Sequence, residues 1–125
     1  MATKFDSEAF YERLVVFAQN CQKIIFELPK SEYNREYGKQ LIRSSASPGS
    51  NYIEALEALG RKDFVHRLRV CRKETRESIY WLRLILEANP SYEEVVIKCK
   101  TLINEGGEII KILTTSILTL ERKNY

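Results

Sequence analysis

The segment GRKDFVHRLRVCRKETRESIYWLRLILEANP, residues 60–90, carries two different stripes on one helical period. Successive helical residues turn by about 100°. At that pitch Phe64, Leu68, Cys71, Thr75, Ser78, Leu82 and Ile85 share a face, which predicts a long amphipathic helix. Gly60 breaks the chain before it, Asp63 sits in its first turn, and Asn89-Pro90 stops it. On the opposite face Lys62, His66, Arg69, Lys73, Arg76, Tyr80 and Arg83 recur at alternating spacings of four and three. Val65, Val70 and Trp81 flank the core stripe, either widening the core or forming a second apolar surface that another subunit covers.

The neighbouring segments repeat the helical period. Upstream, Tyr37, Leu41, Ser44, Pro48, Tyr52, Ala55 and Leu59 lie on one face of a segment running from about Tyr33 to Leu59. Pro48 removes one helical hydrogen bond and clashes with the preceding turn, yet the face keeps its phase across it. One kinked helix is therefore expected rather than two short ones. Residues 44–50, Ser-Ser-Ala-Ser-Pro-Gly-Ser, are nearly all small and allow another helix to approach closely. Downstream, Ser91-Tyr92-Glu93-Glu94 reads as a capping box. It opens a stripe of Val95, Cys99, Leu102, Gly106, Ile109, Leu113, Ile117 and Leu120. Gly106 lies on that stripe, so the Gly106-Gly107 pair reads as a close-packing notch within a continuous helix. At the start of the chain Phe10, Leu14, Phe17, Cys21, Ile24 and Leu28 form a further stripe, capped by Asp6 or Ser7 and ended by Leu28-Pro29.

Four long amphipathic helices with short connections predict an all-α, antiparallel up-and-down four-helix bundle, a single domain over residues 1–125. Composition agrees: 125 residues, 44% apolar and 30% charged, with five Gly and three Pro, suit one helical core and argue against a loop-rich β fold. The first ten residues lack the apolar run of a secretory leader, and the most apolar stretch, Ile109 to Leu120, is too short for a membrane span. The three cysteines, Cys21, Cys71 and Cys99, each fall on an apolar stripe without CxxC spacing, and are expected as buried thiols in a reducing cytoplasm.

Most catalytic chemistry has no residues to carry it. There is one histidine, no Glu-x-x-His pair, no HExxH, no Cys/His cluster and no Gly-rich phosphate loop. No cofactor or metal is expected, and an enzyme is not expected. Glu54 and Glu57, which resemble a carboxylate pair, are expected to ion-pair with the Arg-rich helix.

Charge is unevenly placed. Residues 35–83 hold eleven basic and six acidic side chains, while both flanking segments are slightly acidic and the whole chain is +3. Within the third helix, Lys62, His66, Arg69, Lys73, Arg76 and Arg83, with Tyr80, extend over about 30 Å with no acidic residue among them. Such a row tracks nucleic-acid phosphates, or is a solvated face helped by Glu74 and Glu77, or meets a protein.

The run Gln40-Leu41-Ile42-Arg43-Ser44-Ser45-Ala46-Ser47-Pro48-Gly49-Ser50-Asn51-Tyr52-Ile53-Glu54-Ala55 resembles the signature of the four helix bundle protein family encoded by 23S rRNA intervening sequences. Residues 62–68, 73–82 and 108–117 continue the likeness over nearly the whole chain. Pro48 stands one residue earlier than in many relatives, and Gly60 replaces a common capping Ser. The resemblance implies a bacterial cytoplasmic protein that forms a homopentameric ring. It also implies kinship in fold to the accessory protein of diversity-generating retroelements, which is pentameric and basic and binds nucleic acid and a reverse transcriptase. No catalytic residue carries over. The expected function is an oligomeric assembly protein that binds RNA or DNA. The rival is a scaffold that binds a protein partner without nucleic acid.

Overall fold

The computed structural model describes residues 6–122. They form four helices: α1 (Ser7–Glu27), α2 (Glu32–Leu56), α3 (Arg61–Ala88) and α4 (Glu93–Arg122). No strand occurs among the described residues. Cross-helix contacts run in opposite directions for each adjacent pair. Ser7 of α1 meets Tyr52 near the end of α2, Asn34 near the start of α2 meets Asn89 after α3, and Arg69 early in α3 meets Glu121 late in α4. The bundle is thus up-and-down, with α1 packed on α2 and α4, and α3 on α2 and α4.

Each start has an identifiable cause. Asp6 caps α1 by accepting from the Ala9 N–H at 3.0 Å, and Ser31 caps α2 by accepting from the Asn34 N–H at 3.0 Å. Gly60 precedes α3 in extended backbone with no side-chain cap. The start of α4 differs from expectation. The helix begins at Glu93, and the Tyr92 carbonyl accepts from the Val96 N–H, so Ser91 lies one residue too early to be the cap.

The four predicted stripes make the core. Phe10, Leu14, Phe17, Cys21 and Ile24 of α1 are buried against the matching faces of the other helices. In α2 the buried face runs unbroken through Pro48. It ends sooner than expected: α2 stops at Leu56, and Leu59 is fully exposed. The helix gives out one turn before the period would carry Leu59 inward. Close packing of α2 on α3 follows from the small residues. Ser44 and Ser78 are both buried with their hydroxyls 2.9 Å apart, and the Cys71 thiol donates to the Pro48 carbonyl at 3.2 Å. The Gly106 notch is real. A Cβ there would lie 2.8 Å from Cγ1 of Ile79, whereas one at Gly107 would meet nothing within 4 Å.

Val65 and Trp81 belong to this core. Val65 is buried, and the partly buried Trp81 ring lies 6.0 Å from that of Tyr37 on α2. Val65 and Trp81 are therefore covered by the chain itself, while Val70 stays partly exposed outside the core. All three cysteines are free and buried. Burial pushes the Cys21 and Cys71 thiols up to about 12 and Cys99 to about 11, because a thiolate would lose its hydration.

Candidate nucleic-acid interface

Packing α3 between α2 and α4 decides which of its faces meets solvent. Lys62, His66, Arg69, Lys73, Arg76, Tyr80 and Arg83 are all exposed along its outer edge, the side away from Leu68, Cys71 and Leu82. A rigid helix holds them on a line about 30 Å long.

The stripe is not uniformly free of acid, as its sequence suggested. Arg69 is ion-paired with Glu121, which α4 brings alongside, and Arg83 donates to Glu87 at 3.1 Å one turn on. Lys62, His66, Lys73 and Arg76 form no ion pair among the described residues. These four are the part of the row with charge or hydrogen-bonding capacity uncommitted.

On both shoulders of the row, cations are engaged by neighbouring side chains. Towards α2, Arg43 bridges Glu74 and Glu77, and Arg67 donates to the Asn51 amide oxygen at 3.1 Å with Glu54 at 3.9 Å. Glu54 thus pairs with the Arg-rich helix as expected, whereas Glu57 forms no ion pair among the described residues. Towards α4, Arg72 donates to the Thr114 hydroxyl at 3.2 Å, and Glu121 holds Arg69. The result is a positive line whose margins mix carboxylates with the arginines that pair them.

Tyr80 sits in the line between Arg76 and Arg83 and is 54% exposed. Its ring meets Trp81 edge-to-face, with centroids 4.9 Å apart and planes at 68°. Trp81 is in turn fixed by Tyr37 and by its indole N–H, which points at Glu77 from 3.5 Å.

Elsewhere the surface offers little chemistry. Among the described residues no three His, Cys, Asp or Glu side chains converge to hold a metal. No described helix is long and apolar enough to cross a membrane. A groove of about 510 Å³ runs between α1 and α2, floored by Ala18, Ser45, Ala46 and Gly49 and bordered by Ile42 and Ile53. Several polar contacts had no periodic signal in the sequence, among them the buried Asn34–Asn89 pair and the Arg13–Glu105 pair linking α1 to α4 at 2.6 Å.

Comparison with known proteins bears on this arrangement. The family model described as 23S rRNA-intervening sequence protein matches residues 8–114. A crystal structure of a protein of unknown function from the S23 ribosomal protein family of Bacteroides thetaiotaomicron is similar, with a TM-score of 0.77 and 28% identity. That match covers 89% of this chain and 96% of the other. No curated protein matches.

Proposed function

Because the chain belongs to the 23S rRNA-intervening sequence protein family, we propose that it is a non-enzymatic, oligomeric assembly protein that binds RNA along the outer edge of α3. The observation that carries this reading is the line of Lys62, His66, Lys73 and Arg76, exposed and without ion-pair partners among the described residues. Lys and Arg in such a row neutralise phosphates and release counterions, so binding depends steeply on salt and little on base sequence. Arg69 and Arg83 join once a phosphate competes with Glu121 and Glu87. The three buried free thiols suit a reducing cytoplasm.

The oligomer is the second element of the proposal, and a pentamer is the state the family resemblance implies. With Val65 and Trp81 covered internally, one apolar surface open to another subunit is the α1/α2 groove, where Ile42 and Ile53 are exposed. A closed ring repeats the α3 line on every subunit, so one RNA reaching several copies gains avidity. The same groove favours the rival reading, a scaffold whose partner is another protein.

The test is Lys73→Glu with Arg76→Glu. Arg69 is the wrong choice, because reversing it also sets two carboxylates against each other at Glu121. The double variant should bind RNA at least about tenfold more weakly at low salt, with a shallower salt dependence by about one to two phosphates. If the wild type binds no better than this variant, the line is a solvated face and the scaffold reading stands. Light scattering that reports a monomer at micromolar concentration removes the oligomer.

A further inference from the structure

Resting on the reading that α3 holds nucleic acid, we propose that its ligand is a single strand and that Tyr80 is the platform on which one of its bases stacks.

The shape of the surface argues against a duplex. A helix reads a duplex by entering the major groove, which is about 12 Å wide in DNA and too narrow for side-chain reading in RNA. Here α2 and α4 pack along both sides of α3. The exposed face of α3 runs between those two helices. A duplex lying on that face presents two phosphate strands, and the second strand falls on the margins. Those margins carry Glu54, Glu77 and Glu121, whose charges Arg67, Arg43 and Arg69 already offset, and Arg72, which faces only a hydroxyl, so they offer a second strand little net positive charge. The single positive line between them matches one backbone.

Tyr80 supplies what a cation row alone lacks. Single-strand sites combine a positive track with aromatic faces, because every base has a π face to stack. Tyr80 lies in the track, one turn from Arg76 and one from Arg83, and more than half of it is exposed. In either sense of an edge-to-face contact with Trp81, one face of the Tyr80 ring is left without a ring neighbour. Trp81 is itself held by Tyr37 and Glu77, so the platform is braced from behind and loses little freedom on binding. A guanidinium on either side, from Arg76 and Arg83, can grip the flanking phosphates or stack on a neighbouring base.

The experiment compares a fluorescein-labelled oligouridine with an RNA duplex of matched phosphate number at low salt, using the full chain. Wild type should prefer the oligouridine. Tyr80→Ala should lose about five- to a hundredfold in affinity for it with an unchanged salt slope, and Tyr80→Phe should retain binding. Duplex affinity should not respond to Tyr80→Ala. A readout needing no variant is the emission of Trp81, the sole tryptophan, which the oligouridine should quench to saturation and the duplex should not. If Tyr80→Ala binds oligouridine as well as wild type while Lys73→Glu/Arg76→Glu loses it, the platform is refuted and the phosphate track stands. A duplex bound as tightly as the single strand overturns the ligand class. If wild type binds neither RNA better than the charge-reversed variant, both the track and the platform fall.

Discussion

Asn34 and Asn89 hold each other by two reciprocal amide hydrogen bonds, each Nδ2 donating to the other's Oδ1, at 2.9 and 2.8 Å. Their remaining amide hydrogens go to the Pro29 and Ile85 carbonyls, both at 2.8 Å. Both side chains are buried, so the pair ties the α1–α2 connection, the first turn of α2 and the end of α3 at one point. Sliding α2 against α3 by one residue would part the amides and bury donors without acceptors, which is how a polar pair fixes register in an apolar bundle.

Asn34→Ala and Asn89→Ala should each cost about 1–3 kcal/mol, because each leaves its partner buried and unsatisfied. The double variant should cost less than the two single costs added together, by about 0.5–3 kcal/mol. Urea denaturation of the four proteins measures this. Strict additivity would mean that the two amides stabilise the fold independently.

Gly106 and Gly107 should respond oppositely to alanine. At Gly107 the added Cβ has open space, so the helix gains up to about 1 kcal/mol from the better propensity of Ala. At Gly106 the Cβ would stand 2.8–2.9 Å from the Ile79 side chain, which must shift to admit it. Gly106→Ala should therefore be less stable than Gly107→Ala by about 1–3 kcal/mol. Equal melting temperatures would show that Ile79 moves aside at no cost.

Buried thiols set the alkaline limit of stability. In the unfolded chain they titrate from the ordinary 9.0, whereas folding holds Cys21 and Cys71 protonated to about 12 and Cys99 to about 11. Burial likewise raises the Tyr52 phenol, which adds in the same direction. The sign follows: this contribution is complete below the unfolded value and is lost as pH climbs towards the folded ones. The urea midpoint should fall between about pH 8 and about pH 10.5, and thiol reagents at neutral pH should label the unfolded chain far faster than the native one. Rapid labelling of the native protein would show the thiols to be reachable.

The sequence by itself determined the four helices, their inward faces and the outward basic row. These are local properties. Burial in a helix repeats every three to four residues, and caps and stops such as Asp6 and Asn89-Pro90 act within one turn. Small residues at Ser44 and Gly106 also announced close packing, since a missing side chain is visible in one dimension. Tertiary structure alone decided what each outward or polar side chain meets. Glu121 lies far from Arg69 along the chain, and nothing periodic links them until α4 folds back on α3. The same holds for Asn34 with Asn89, for Arg43 between Glu74 and Glu77, and for Tyr37 closing over Trp81. Leu59 shows the converse, an apolar residue in phase with its stripe yet exposed because α2 ends first. Period tells which way a residue faces while the helix lasts, and only the packed bundle tells what stands opposite.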